Sequence, residues 1–410
     1  MALCVALLIA SEFMPVSLLT PIAHDLHATE GMVGQAISIS GLFAVVTSLF
    51  IATIAGRFER RMVLISLSCL MLFSLAVIAM APNLLVLMVA RALLGIVIGG
   101  FWSLATATVM RLVPHDSVPK ALGAIYMGNA VASAFAAPIG SYLGGLIGWR
   151  GVFWSMVPIV IINIAWQWMS LPFMQPQAAN PVGKLLGLLR RRNVAYAMVG
   201  TMLTFSGSFI SFTYFRPFLE TYTHVSLAEL SLSLLGLGIA GFLGTYLASV
   251  LIPGNLYALL RVLPFLLALT TISLLIAGHR VWTAAPVMVL WGVIYSAVPV
   301  CWAAWLAKGI ADEPESGGGL QIGVIQLSIM FGAGAGGYLL DHISMEGPFL
   351  AGALLLVLAA IAVGNGHRLQ PQPMRAESSE HTEEDRLTEN MSVQSHSCLQ
   401  SLCTYKSLNV

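Results

Sequence analysis

In a chain of 410 residues that is 58% hydrophobic and 9% charged, the side chains able to do chemistry are the few ionisable ones inside apolar runs. Glu12 stands in "LLIASEFMPVSLLTP", Leu7 to Pro21, just before Pro15. A carboxylate at the centre of a bilayer-spanning helix costs roughly 2.5–3.5 kcal/mol, and such a residue is a functional suspect by default. A protonated acid tolerates that place far better than an ionised one, so the chemistry open to Glu12 is the binding and release of a proton. A neutral acid serving only as a structural hydrogen-bonding group is the alternative. Arg91, in "VARALLGIVIGGFW", needs carbonyl or carboxylate partners if it is buried. It lies nearer one end of its run than the middle, so snorkelling to the interface competes with a coupling role.

Other chemistries are missing from the pattern. There is no G-x-x-x-x-G-K-[ST] phosphate loop, so this chain has no ATP site of that kind, and no hydrolytic constellation appears. Cys4, Cys69 and Cys301 fall inside apolar runs and Cys398 and Cys403 near the C-terminus, with no C-x-x-C and no His at ligand spacing. The first three read as small buried hydrophobes. No metal site and no cofactor are expected, and the chain is not expected to be an enzyme. A formal net charge of +1 gives no concentrated basic surface for nucleic acid.

The elements that must position Glu12 and Arg91 are membrane helices, because apolar runs of about 20 residues, each enough to cross about 30 Å of hydrocarbon, recur along the chain. Spans are expected at about 1–20, 31–55, 62–81, 84–110, 120–147, 151–173, 195–219, 227–252, 257–277, 281–307, 319–342 and 347–366. The first begins at Met1 without a basic leader and carries Glu12, so it reads as a span rather than a secretory signal. Connections are short except "MQPQAANPVGKLLGLLRRRN", Met174 to Asn193, which divides the chain into six-helix bundles at 1–173 and 194–366. After residue 366, Glu377, Glu380, Glu383, Glu384, Asp385 and Glu389 mark an acidic tail with too little apolar surface to order itself.

Lys and Arg alternate between loops. Arg57, Arg60, Arg61, Arg111, Lys120, Lys184, Arg190, Arg191, Arg192 and Lys308 fall in even-numbered loops, whereas the others hold Arg150 and Arg280 beside Asp25, Glu30, Glu229, Asp341 and Glu346. Even loops and both termini are therefore expected in the cytoplasm. Trp149 and Trp282 fall near expected membrane boundaries and read as interfacial anchors. The halves also echo each other. "AAPIGSYLGGLIGWRGVF" (Ala136 to Phe153) aligns without a gap on "GAGAGGYLLDHISMEGPF" (Gly332 to Phe349), pairing Gly140 with Gly336, Tyr142 with Tyr338, Ile147 with Ile343 and Phe153 with Phe349. Chance likeness of two Gly-rich spans is the competing explanation. A parallel repeat of two bundles is the build of transporters that rock one half against the other.

With these stretches in order, the sequence resembles the major facilitator superfamily in its drug:proton antiporter branch, and among its members bacterial purine ribonucleoside efflux proteins. "EFMPVSLLTP", "RALLG", "GGFW", "MRLVP", "VPKAL", "GWRGVF" and "DEPESGGGLQIGVIQL" carry the likeness. "AAPIGSYLGG" resembles the antiporter motif, with Pro138, Gly140, Gly144 and Gly145 as its marks and Ala137 where a Gly is usual. "AGRFERRMVL" resembles the superfamily's cytoplasmic loop motif, with Gly56 where an Asp is usual and Glu59 where a Gly is usual. Glu59, Arg60 and Arg61 keep the acid-before-two-arginines pattern of nucleoside exporters, and the loop reads either as a latch on the other half or as an orientation signal alone.

The resemblance implies an all-α, twelve-span fold of two pseudo-symmetric bundles in the bacterial inner membrane. It further implies a monomer that exports purine ribonucleosides in exchange for protons through Glu12 and Arg91. A nucleoside needs stacking surfaces and hydrogen bonds, for which Gln35, Trp102, Tyr126, Asn129, Tyr214, Trp302 and Gln326 are the candidates, each equally explicable by packing. A broader drug or sugar exporter is the alternative, and a non-transporting membrane receptor or assembly protein a more distant one.

Overall fold

The computed structural model describes residues 1–55, 57–114, 118–175, 187–310 and 312–370, but not the side chains of 52–54, 106, 107, 110, 111, 118–123, 126, 314 and 315. The acidic tail, most of the central loop, Gly56 and the Tyr126 side chain lie outside the described residues. Met1–Gln370 form one compact unit, and its regular elements are all helical among the described residues.

In chain order these are α1 (Ala2–Ser17), α2 (Leu19–Asp25), α3 (Glu30–Ala55), α4 (Arg60–Met80), α5 (Leu84–Leu112), α6 (Val118–Ser170), α7 (Arg192–Phe212), α8 (Phe215–Thr221), α9 (Leu227–Ala277), α10 (Val281–Gly309), α11 (Pro314–His342) and α12 (Gly347–Val363). Among the described residues, eight stretches are long and apolar enough to cross a membrane, and the α1–α2 pair, bent by 66°, makes a ninth. Helix α12 is a shorter apolar helix of 17 residues. The 53 residues of α6 and 51 of α9, at about 1.5 Å each, exceed twice the roughly 30 Å of hydrocarbon, so each crosses twice. With α12, the described residues fit a count of twelve passes. The break in α6 falls at Gly148, with φ +73° and ψ 161°, backbone that glycine adopts readily and other residues do not. The break in α9 is at Asn255.

Glycine lets the helices approach to backbone contact. A Cβ on Gly99 of α5 would lie 2.8 Å from the Ala44 carbonyl carbon in α3, and one on Gly292 of α10 would lie 3.1 Å from the Leu237 carbonyl carbon in α9. Large apolar side chains such as Trp166, Met169, Leu232, Ile276, Leu354 and Ile361 point outward and are exposed, the surface that lipid covers. Cys4 and Cys301 are buried, as expected, but Cys69 is exposed. It shares the outer face of α4 with Met62 and Phe73, both exposed.

The internal echo reappears as packing. Gly140 of α6 faces Met14 and Ser17 in α1, while its counterpart Gly336 of α11 faces Tyr214 and Ile210 at the end of α7. Phe153 and Phe349 are both buried, and Tyr142 and Tyr338 both exposed. Each half thus begins with a span broken into a long segment and a seven-residue one, α1–α2 and α7–α8, and lays its echo helix against it.

Replacing Gly99 by Leu is expected to force α3 and α5 apart at a cost of about 1–3 kcal/mol, read as a lowered melting midpoint of the purified protein. Gly254→Ala, where a Cβ meets nothing within 4 Å, is expected to leave the midpoint unchanged.

Candidate functional site

The site is built around α1. Glu12 is buried, with 6% of its surface exposed. The Gln326 side chain of α11 and the Arg91 guanidinium both act electrostatically on its carboxyl. Arg91 Nη1 donates to the Ser11 carbonyl (2.9 Å) and Nε to the Ala36 carbonyl (3.5 Å), while Nη2 is buried without a partner. At 1% exposure Arg91 does not snorkel. Its hydrogen bonds go to backbone of its own bundle because the chain folds α1 and α3 around it. Arg91 and Glu12 form no described ion pair within 4 Å, so charge acts between them across a short gap.

Beside Glu12, Phe13 meets Phe209 (6.4 Å) and Phe212 (5.6 Å) of α7. Phe212 stacks on Tyr295 of α10 (6.2 Å), which stacks on Trp291 (4.9 Å). Tyr295 also feels the Glu12 charge. An acid, an amide with a buried unpartnered Oε1 on Gln326, and a set of aromatic faces therefore converge from α1, α7, α10 and α11, that is, from both halves. Sequence reasoning picked out Glu12 and Gln326 but missed Phe13, Phe209, Phe212 and Tyr295, because aromatic residues at helical spacing look the same whether they meet a neighbour or a ligand.

The other candidates are dispersed. Gln35 is exposed, on the face of α3 that carries the exposed Met32, Leu42 and Phe43. Trp302 is buried against Trp305, rings 6.1 Å apart, with its ring edge over Gly200, and so is core. Trp102 and Asn129 are half-buried in α5 and α6. Tyr214 is fully buried at the break before α8; its hydroxyl donates to the Ala333 carbonyl (2.7 Å), and a Cβ on Gly337 would lie 2.7 Å from it. It is a wedge between helices. Trp149, expected at the interface, is buried and donates to Asp25 (3.1 Å); Trp282 is 85% exposed.

One end of the molecule is sealed between the halves. Asp341 of α11 accepts from Thr29 Oγ1 (2.5 Å) and the Gly31 N–H (3.1 Å). Arg216 of α8, ion-paired to Glu220 (2.8 Å), donates to the Ser17 carbonyl, an acceptor freed by the break after α1. Ser231 of α9 donates to Ser141 of α6 (3.3 Å), and nearer the middle Ser38 donates to the Met330 carbonyl (2.7 Å). Pro138 and Gly140 of the stretch that resembles the antiporter motif are buried. A Cβ on Gly144 would strike Leu18, and one on Gly145 would strike Leu227 of the other half, so the motif's small residues form this seal.

At the opposite end the described contacts of the loop motif stay within the first half. Arg61 donates to the Trp168 carbonyl (2.6 Å) and lies over its ring, the Arg60 N–H donates to the Met174 carbonyl (3.3 Å), and Glu59 precedes α4 with its Oε1 buried and unpartnered. In the second half Arg191 pairs with Asp312 (2.7 Å) and Glu313 (3.2 Å). Hydrogen bonding from Arg191 holds the Asp312 carboxyl below the usual carboxylate range.

The Major Facilitator Superfamily profile matches residues 1–325 of this chain. The chain belongs to the Major Facilitator Superfamily. It is 48% identical over 365 residues (88% of this chain, 90% of the relative) to the transcription regulatory protein OpdE of Pseudomonas aeruginosa. It is 37% identical over 370 residues (90% and 93%) to the purine ribonucleoside efflux pump NepI of Salmonella typhimurium. Among solved structures, this superfamily member resembles a D-xylose-proton symporter (TM-score 0.71, 15% identity, 90% of this chain and 96% of that one). It also resembles a bacterial homologue of the human lysosomal transporter Spinster (TM-score 0.73, 15% identity, 88% and 94%).

Asp341→Ala is expected to loosen the sealed end, so that Ser38→Cys, in a background with Cys69, Cys398 and Cys403 replaced by Ala, reacts several-fold faster with a hydrophilic maleimide; an unchanged rate would deny Asp341 that role. Because its carboxyl is held ionised in the fold, Asp312 contributes stability above about pH 4 that is lost as pH falls through its lowered pKa. The melting midpoint of the wild type is therefore expected to exceed that of Asp312→Asn slightly at neutral pH, the pair being solvent-screened, and the gap to close in acid.

Proposed function

We propose that the protein is a proton-coupled antiporter that exports purine ribonucleosides or close analogues from the cytoplasm by alternating access. The observation that carries this reading is the convergence on Glu12 of Gln326, Arg91 and the Phe13–Phe212–Tyr295 aromatic faces across the junction of the halves. A purine offers two π-faces for stacking and edge donors and acceptors for an amide and a carboxyl. The NepI relatives, named as purine ribonucleoside efflux pumps, support the same substrate class.

In this mechanism Glu12 takes up a proton when the acidic end opens and the halves close over the neutral acid. When the opposite end opens, water reaches the carboxyl, the proton leaves, and the ionised acid is stabilised by the Arg91 guanidinium. Substrate bound against the aromatic faces and Gln326 is carried the other way. The distribution of Lys and Arg supports an inner-membrane orientation with the Asp341 seal outside and both termini in the cytoplasm. A single chain supplies every group in this scheme, consistent with a monomer, and residues 1–173 and 194–366 would be the two rocking bodies.

A regulatory membrane protein on the same scaffold is the second reading, favoured by the name of the OpdE relative. Transport separates the two. Everted vesicles with an imposed pH gradient are expected to accumulate labelled inosine or guanosine when the protein is present, and drugs and pentoses to compete weakly. Glu12→Gln is expected to abolish gradient-driven uptake while the protein stays in the membrane, and Tyr295→Ala to raise KM about tenfold, as the loss of about 1.4 kcal/mol of stacking would. Uptake unaffected by Glu12→Gln would remove the coupling role, and the absence of uptake of any solute would favour the regulator.

A further inference from the structure

Away from Glu12, a groove of about 810 Å³ runs between the second segment of α9 and α12, lined by Tyr257, Arg261, Val262, Phe265, Ile361 and Asn365 among others. Val262, Phe265 and Ile361 are among the exposed apolar side chains, so the groove opens sideways onto the lipid rather than into the space between the halves. Arg261 closes one end. It lies six residues beyond the break at Asn255, about 9 Å along the helix.

Its guanidinium donates to Asn365 Oδ1 (2.9 Å), a neutral acceptor. The described ion pairs are Arg150 with Asp25, Arg191 with Asp312 and Glu313, and Arg216 with Glu220, so no described carboxylate neutralises Arg261. Arg368, three residues beyond Asn365 in the chain, lies over the Tyr196 ring (5.1 Å) together with Arg192 (5.8 Å), and Tyr257 packs on Gly366 next to Asn365. A fixed positive charge at one end of an apolar, membrane-facing channel matches an amphiphile with a negative head and a hydrocarbon tail. A free phosphate ion would leave the apolar walls uncovered, and a neutral lipid would leave the charge unmet.

We propose that this groove holds an anionic phospholipid, its headgroup phosphate on Arg261 and one acyl chain along Val262, Phe265, Val357 and Ile361. Basic pockets between membrane helices take such headgroups, and guanidinium–phosphate bonds are among the stronger hydrogen bonds. The site stands independently of which solute the protein moves. Occupied, it would brace α9 against α12 at the Arg191 end, where the second half is held by the exposed Arg191–Asp312 pair.

Native mass spectrometry of the full-length protein, titrated with phosphatidylglycerol or with phosphatidylcholine of equal chain length, tests the assignment. The expected result is a preference of about tenfold for phosphatidylglycerol that is lost in Arg261→Gln, partly kept in Arg261→Lys and unchanged in the control Arg57→Gln. Should Arg261→Gln not fold, about 0.5 M salt is expected to erase the preference in the wild type, since only the charged contact is screened. Equal binding of the two lipids, or a preference that survives both Arg261→Gln and salt, would overturn the proposal. Failure of the full-length chain to take up phosphatidylglycerol would also overturn it.

Discussion

Backbone carbonyls in a membrane need donors, and in this protein two buried arginines supply them on either side of the buried acid. Arg91 donates to Ser11 and Arg216 to Ser17, so α1 is gripped from its own half and from the other, with Glu12 between the grips. Hydrocarbon offers no water to satisfy a broken helix end, and the break after Ser17 would otherwise leave carbonyls exposed to it. The bend therefore obliges the second half to send an arginine across. Any motion that parts the halves at that end must replace this bond, which ties the position of Glu12 to the state of the seal.

The seal follows from small residues as much as from charge. Gly31 lies against Gly337, Gly145 against Leu227 and Gly238 against Ala134, so α3 meets α11 and α6 meets α9 at backbone range. Interfaces of this kind have little side-chain interdigitation to undo and can separate as rigid faces, with a few directional bonds such as those of Asp341 defining the closed position. At the opposite end the described ion pairs and hydrogen bonds of Arg61 and Arg191 hold helices within a half, which keeps each half rigid.

Fold and substrate are separable here. Relatives at 48% and 37% identity carry different names, one for regulation and one for purine ribonucleoside efflux, while solved structures at 15% identity share the architecture. Helix lengths and glycine seams set the architecture and tolerate wide change. In the function proposed above, recognition would depend instead on a handful of ring faces and one amide around Glu12, where single substitutions would alter what is bound.

Membrane insertion, the helical spans, the pairing of α6 with α11 as echoes and the presence of an acid at Glu12 within an apolar run were legible in the sequence. Each rests on one-dimensional quantities: length of apolar run, repeat spacing, and the cost of a charge in lipid. Which polar or aromatic side chains face one another was not legible. A helix places its residues at 100° intervals, and the rotation of each helix is set by its neighbours, so Gln35 turned outward, Trp302 inward to Trp305, and Tyr214 into a seam. The same rotation brought Phe13, Phe212 and Tyr295 together. Arg91 could have snorkelled or been buried on the sequence alone; only the packing of α1 and α3 around it supplied the carbonyls that made burial the lower-energy choice.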